Sequence, residues 1–283
     1  MTNSAASRLE RSCMPAGWIR TAPPCAGLER VEAFFAGHGF DPHRHDTYAI
    51  GFTIHGMQSF RYRGAARMSM PGQVFVLHPD ETHDGRAGTR DGFRYRILYV
   101  EPRLIQDALS QAHGALPFVR DVVSNNPVLA RAIKPALDDL ESPLVDLQRD
   151  EIVQGLGEAL AAADCSMARP RSPARHWGAV ARARDCLDAN VRKGISSSEL
   201  ETLTGLSRYD LARQFRMCLG TSPYRYLVMR RLDRARSLIG NGTPLADAAL
   251  ASGFADQSHL TRHFKKAYGV SPGAWFRLAI LKV

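Results

Sequence analysis

Leu211-Ala-Arg-Gln-Phe-Arg216 and Leu260-Thr-Arg-His-Phe-Lys265 are one segment written twice, 49 residues apart. The register holds beyond each copy: Gly220 falls on Gly269, Ser222 on Ser271, Pro223 on Pro272 and Tyr226 on Trp275. A fixed offset of this kind marks a structural unit used twice. Leu211, Phe215, Leu260, Phe264 and Trp275 recur at helical spacing and read as core. Upstream of the first copy, Ser196 and Glu199 make a capping box for a short helix through Leu203, which Gly205 breaks. Ser207 caps the next helix, with Asp210 complementing its positive end. In the second unit Thr243 is the expected cap, with Pro244 at the first helical position, Gly253 as the break, and a further helix from about Asp256 to Tyr268. A short helix, a Gly-containing turn and a second helix is a DNA-binding arrangement.

Between the two units lies a helix expected over Pro223–Ile239, capped by Ser222 and stopped by Gly240-Asn-Gly242. At ~1.5 Å per residue it is a rod of about 25 Å, suited to holding two recognition helices near one DNA turn (~34 Å) apart. Its expected apolar face is Tyr224, Leu227, Val228, Ala235 and Leu238; its expected basic face is Arg225, Arg230, Arg231, Arg234 and Arg236. The charge follows the same division. Residues 169–283 hold 20 Lys and Arg against 8 Asp and Glu (+12), and residues 1–168 hold 17 against 20 (−3), summing to the chain's +9. A basic back third on a near-neutral front is the footprint of a nucleic-acid-binding domain. The stretch Ser166-Met-Ala-Arg-Pro-Arg-Ser-Pro-Ala-Arg175 builds no core and reads as a linker.

The segments Gly205-Leu-Ser-Arg-Tyr-Asp-Leu-Ala-Arg-Gln-Phe215, Leu250-Ala-Ser-Gly-Phe-Ala-Asp-Gln-Ser-His-Leu-Thr-Arg-His-Phe-Lys265 and Gly269-Val-Ser-Pro-Gly273 closely resemble the AraC/XylS family of bacterial transcription regulators, over roughly residues 177–277. The recognition helices are expected to present their N-terminal turns to DNA: Ser207, Arg208, Tyr209, Ala212 and Arg213 in the first, Asp256, Gln257, Ser258 and Arg262 in the second. Arg pairs bidentately with guanine and Gln with adenine. The resemblance implies base contacts at Tyr209, Arg213, Gln257, Ser258 and Arg262. Arg208, Lys265 and Lys266 are expected on phosphate. Ala212 stands where the family often has a polar residue, so the first helix is expected to read fewer bases. The resemblance further implies a homodimer on repeated sites in double-stranded DNA, and activation through RNA polymerase.

The front half carries short alternating runs at Tyr48–Ile54, Ser59–Tyr62, Val74–Leu77 and Phe93–Val100, punctuated by Arg63-Gly64, Pro71-Gly72, Asp84-Gly85 and Asp91-Gly92. Pro42-His-Arg-His-Asp-Thr-Tyr48 and Pro71-Gly-Gln-Val-Phe-Val-Leu-His-Pro-Asp-Glu-Thr-His-Asp-Gly85 resemble the cupin-type sensor domain attached to many such regulators, over roughly residues 30–110. That implies a small β-barrel holding a small-molecule effector. His43, His45 and His83 are its first candidates, with Tyr48, His78, Glu81, Tyr95 and Arg96 behind them. The three His residues suit effector contacts, structural hydrogen bonding or a metal. A cupin enzyme carries a Glu a few residues after the second His, whereas residues 46–51 here are Asp-Thr-Tyr-Ala-Ile-Gly. Neither metal, cofactor nor enzymatic activity is therefore expected. Leu129, Ile133, Leu137 and Leu140, then Val145, Ile152, Leu156, Ala159 and Ala163, mark two helices whose stripe serves either a dimer contact or packing on its own barrel.

The fold class expected is α+β: an N-terminal cupin-like β-barrel with following helices, then a C-terminal all-α domain with two helix-turn-helix units joined by a long helix. The expected division is an effector-binding and dimerisation domain at 1–165, a linker at 166–175 and a self-contained DNA-binding domain at 176–283. With 45% hydrophobic and 23% charged residues the composition excludes wholesale disorder. No apolar run reaches the ~18–20 residues of a membrane span. The N-terminus shows no signal peptide, and five cysteines without a Cys-x-x-Cys read as reduced thiols, so a cytoplasmic protein without a membrane partner is expected.

Overall fold

The computed structural model describes residues 17–109, 115–164 and 176–280. The expected linker, Cys13 and Cys165 lie outside the described residues. Two antiparallel sheets build the front half. One has the order β1 (Gly17–Thr21), β2 (Leu28–Phe35), β9 (Phe93–Val100), β4 (Tyr48–Gly56), β7 (Val74–Leu77), β10 (Val123–Ser124). The other has the order β3 (His38–His43), β8 (His83–Ala87), β5 (Gln58–Tyr62), β6 (Ala65–Ser69). Arg63 and Gly64 both have positive φ (51° and 77°) and form a two-residue connection that pairs Tyr62 with Ala65.

Period-2 alternation sorts the side chains. On β9, Phe93, Tyr95 and Ile97 face the space between the sheets, whereas Leu98 and Val100 face outward. The space between the sheets is filled: Phe35, Phe60, Tyr62, Phe75, Phe93 and Tyr95 are all buried there. Helices α1 (Pro102–Ala108), α2 (Pro127–Leu137) and α3 (Asp146–Ala162) cover the outer face of the first sheet. Asn126 caps α2 through Val128 and Leu129. The stripe Ile152, Leu156 and Ala159 of α3 is buried against Leu129 and Ile133 of α2, so of its two expected uses the structure shows packing on its own half. At the start of that helix the large apolar side chains of Val145 and Leu147 stay exposed.

The back half is helical throughout: α4 (Trp177–Ala189), α5 (Ser197–Thr204), α6 (Arg208–Leu219), α7 (Pro223–Gly240), α8 (Leu245–Ala251), α9 (Gln257–Tyr268) and α10 (Pro272–Ile280). Ser196, Ser207, Ser222 and Asp256 accept hydrogen bonds from helix N–H groups as caps. Pro244, not Thr243, caps α8, so that helix starts one residue later than its sequence suggests. Helices α6 and α9, the expected recognition helices, both end on left-handed glycines, Gly220 and Gly269.

The two units differ in their cores. The first has its own, of Val180, Leu187, Leu200, Leu211 and Phe215. The second joins the interior of the barrel: Leu232, Phe254, Leu260, Phe264 and Trp275 belong to one cluster with Phe35, Phe93 and Tyr95. Backbone bonds stitch the join, Asp41 N–H to Gly269 O (3.0 Å) and Arg44 N–H to Lys266 O (3.1 Å). The expected faces of α7 need correction for the same reason. Tyr224 is exposed, and Arg225, Arg230 and Arg236 are turned into the barrel instead of forming a solvated basic face.

Candidate nucleic-acid interface and effector cavities

At the N-terminal tip of α6, Tyr209 is 79% exposed. Arg213 is exposed one turn later and ion-paired with Asp210, and Ala212 between them is partly buried. Arg208 is held by Glu201 of α5, which accepts from its backbone N–H (2.7 Å) and its guanidinium (3.2 Å). At the tip of α9, Gln257, Ser258 and Arg262 are all exposed. Ser207 and Asp256, equivalent in the repeat, point back at their own helices: Ser207 Oγ accepts from Asp210 N–H and Asp256 Oδ1 from His259 N–H. Their structural work is capping. Lys265 and Lys266 are exposed but sit in the last turn of α9, about 12 Å along the axis from Gln257. The expected DNA set thus separates into a tip and a base.

The C-terminal ends of both recognition helices rest on the barrel. A Cβ at Gly220 would meet Pro79 Cβ at 2.6 Å; one at Gly269 would meet Asp41 O at 2.7 Å and His43 Nδ1 at 2.8 Å. Between them, α7 is bound by three arginines. Arg225 donates to Arg44 O and lies 3.5 Å from Asp80, whose own backbone is left-handed (φ 60°). Arg230 bridges Asp46 (3.0 Å) and Glu101 (3.3 Å), and Arg236 grips Glu29 with two nitrogens (2.5 and 3.2 Å).

The effector candidates divide among three places. His43, His45 and His83 cluster with ring centroids 4.3, 4.9 and 6.2 Å apart. Each Nδ1 bonds a main-chain carbonyl, of Asp41 (2.8 Å), Thr47 (3.0 Å) and Glu81 (3.0 Å). A carbonyl only accepts, so each Nδ1 carries the proton and each Nε2 is left as an acceptor. Burial and the neighbouring imidazoles hold His43 and His45 well below the ordinary histidine range, and burial lowers His83. The trio is neutral. Among the described residues no group of three or more His, Cys, Asp or Glu is arranged to hold a metal ion. His43 and His45 line a cavity of about 210 Å³ between the barrel and α7, α9 and α10.

Tyr48, His78 and Glu81 line a second cavity, of about 650 Å³, beside Met217 and Gly220 at the end of α6. His78 is pinned at both ring nitrogens: Nε2 accepts from Val119 N–H (3.0 Å) and Nδ1 donates to Tyr62 Oη (2.8 Å). Burial, with Arg63 nearby, lowers its pKa to about 4. Tyr48 donates to Pro117 O (2.7 Å), and Glu81 pairs with Arg63 (2.5 Å). Tyr95 and Arg96 reach neither cavity. Tyr95 is buried among the barrel aromatics, and Arg96 lies outside the sheet, bound to Glu32 (2.7 Å) and Leu137 O (2.7 Å).

The family described as AraC-like ligand binding domain matches residues 26–156, and the family described as helix-turn-helix domain matches residues 200–278. The chain is an AraC-type transcription regulator. It is 27% identical over 228 residues, 78% of this chain and 81% of the relative, to the uncharacterised HTH-type transcriptional regulator YbfI of Bacillus subtilis. Over 87 residues, 30% of this chain and 35% of the relative, it is 32% identical to the probable transcriptional regulator LumQ of Photobacterium leiognathi. The fold is shared with crystal structures of ToxT from Vibrio cholerae, at a TM-score of 0.63 and 12% identity over 93% of this chain and 98% of that one. A ToxT structure with bound unsaturated fatty acid aligns at a TM-score of 0.60 and 11% identity, over 94% and 95%.

Several residues of the seam between barrel and helices carry no mark in the sequence. Glu29, Asp46, Tyr99 and Glu101 sit on the barrel side of the smaller cavity, opposite Arg230 and Tyr268. The one available signal was the run of arginines on α7, and a solvated basic face has the same spacing.

Proposed function

We propose that this regulator binds specific sites in double-stranded DNA through both recognition helices and activates transcription, with a small-molecule effector at the barrel's mouth setting how the helices are presented. The tip residues Tyr209, Arg213, Gln257, Ser258 and Arg262 read bases; Arg208, Lys265 and Lys266 meet phosphate; Ser207 and Asp256 fix the helix starts, and Ala212 makes an apolar contact. The observation that carries the reading is the double docking of α6 and α9 on the barrel through Gly220 and Gly269, with α7 pinned between them by Arg225, Arg230 and Arg236. Any ligand that favours one arrangement of the barrel mouth shifts the spacing of the two tips. Because the barrel interior is filled with side chains, the effector belongs in the two cavities where barrel and helices meet. The fatty acid bound by ToxT supports effector control on this fold.

In this reading residues 1–165 sense and dimerise, 166–175 link, and 176–283 bind DNA. The homodimer and the contact with RNA polymerase rest on the family resemblance alone. No helix among the described residues is long and apolar enough to cross a membrane, which fits a cytoplasmic place of action. The test is genome-wide mapping of crosslinked sites in the native host, with transcript levels from the adjacent genes with and without the regulator. Discrete promoter peaks sharing two contacts about one turn (~34 Å) apart, and transcripts that fall on deletion, are expected. Uniform binding without a shared motif would overturn the reading.

A further inference from the structure

The smaller cavity has a chemical character of its own. Its lining holds four carboxylates, Glu29, Asp46, Glu101 and Asp233, against two guanidiniums, Arg230 and Arg236. With all six ionised, the site carries a formal charge of −2. Both arginines are already engaged: Arg236 bonds Glu29 and lies over the rings of Tyr268 and Trp275 (5.1 and 4.9 Å), and Arg230 bridges Asp46, Glu101 and Asp233.

On the barrel wall what remains unsatisfied is of one kind, while across from it Arg230 Nε, a donor, is also without a partner among the described residues. Asp46 Oδ1 and His45 Nε2 are buried and have no hydrogen-bond partner among the described residues. The two side chains are adjacent in sequence, 3% and 5% exposed, and both line the cavity. Each atom is an acceptor, because the His45 proton sits on Nδ1, committed to Thr47 O. Buried acceptors left unpaired are costly, and a ligand that supplies donors recovers that cost. Rings of Phe40 and Tyr99 complete the wall. The space of about 210 Å³ equals about seven water volumes at ~30 Å³ each, which suits a compact body carrying one polar head.

We propose that the cavity between the barrel and α7, α9 and α10 binds a small primary amine as its ammonium ion, with Asp46 Oδ1 and His45 Nε2 accepting from the nitrogen and the apolar body lying against Tyr99 and Phe40. This rests on the reading of the cavity as an effector site and names the effector's class. A carboxylate ligand would meet a net negative wall, two acceptors and two guanidiniums whose terminal nitrogens are already bound to carboxylates, leaving it Arg230 Nε alone, so the site discriminates by charge.

Three isosteric probes test it on the full-length wild-type protein, by calorimetric titration near neutral pH: benzylamine, benzyl alcohol and benzoate. Benzylamine is expected to bind at least tenfold tighter than benzyl alcohol, with benzoate weakest. Asp46→Asn is expected to weaken benzylamine at least tenfold and benzyl alcohol much less; Asp46→Glu should restore part of the preference. The wild-type probe series stands even if a variant fails to fold. Benzoate binding best, and competed away by Cys25→Phe in the cavity wall, would overturn the amine class while leaving an effector site in place. Binding of none of the three, with DNA affinity indifferent to Cys25→Phe, would overturn both.

Discussion

Arg213 and Arg262 hold equivalent places in the repeat, yet their neighbours differ. Arg213 is paired with Asp210 one turn back, whereas the residue three before Arg262 is His259, and no carboxylate pairs with Arg262 among the described residues. A guanidinium free of an internal partner gives its full bidentate bond to a base edge. Arg262→Ala is therefore expected to cost ~1–3 kcal/mol on the cognate site and to relax base preference there, and Arg213→Ala to cost less. Fluorescence anisotropy on cognate and random duplexes checks this; equal losses on both would refute base reading at Arg262. Asp46 supports a second expectation. Burial pushes its carboxyl up to about 6 despite Arg230, with Asp233, Glu101 and Arg225 as the other charges that face it. Its unfolded value is near 3.9. The folded state thus holds the proton more tightly, so this group makes stability fall as pH rises from about 4 to about 6 and adds nothing further above that. The gap of roughly two pH units is worth about 3 kcal/mol at most. Urea midpoints at pH 4 and 7, compared between wild type and Asp46→Asn, should show that slope in the wild type and its loss in the variant. The sequence foretold the exposed tip residues, since a helix-turn-helix fixes which turn faces outward. It did not foretell Asp46, because a carboxylate beside His45 looks the same whether it faces solvent or a cavity.

The rod helix α7 is where the sequence and the structure part most clearly. Its length, its Ser222 cap and its stop near Gly240 follow from capping rules. Its orientation does not. Besides the local pair of Arg230 with Asp233, arginines at 225, 230 and 236 have acidic partners on β2, on the loop before β4, after β7 and at the start of α1, each of these more than 120 residues away. No local pattern announces partners so distant. Part of the charge asymmetry read as attraction for DNA is thus internal: three of the back third's cations neutralise carboxylates of the front. Removing one partner of a buried pair leaves the other uncompensated, which costs more than the pair contributes. Arg230→Met is expected to destabilise the chain by about 3 kcal/mol or more, and Arg230→Met with Asp46→Asn by clearly less than the two singles together. A double-mutant cycle by chemical denaturation decides it, and strict additivity would show that the pair is not coupled. Gly269 gives the same element-level logic at the end of α9. Its φ of 70° and the 2.7 Å approach to Asp41 O leave no room for a side chain. Gly269→Ala should strain the cap by about 1 kcal/mol and also push α9 off β3.

On the scale of the whole molecule, the chain has a barrel and two helix-turn-helix units, but the second unit has no core of its own. The first unit closes on itself around Leu211 and Phe215, while the second shares its core with the barrel aromatics. The repeat made the two units look alike, and only the assembled fold distinguishes them. Cooperative opening follows buried contacts, not sequence boundaries. In native-state hydrogen exchange, amides of α4, α5 and α6 are therefore expected to open as one group. Those of α8 and α9 are expected to open together with β2 and β9. If all the helical back half exchanges as one, the shared core is not a cooperative unit. A ligand at the seam adds stability in proportion to its binding of the closed state. It should then raise protection in the barrel and in α9 while leaving α4–α6 near their unliganded rates. That asymmetry fits the proposed function: the second recognition helix shares the core of the barrel, whereas the first keeps its own core and meets the barrel at its C-terminal end, at Gly220 and Pro79, so a ligand at the seam would act on their spacing.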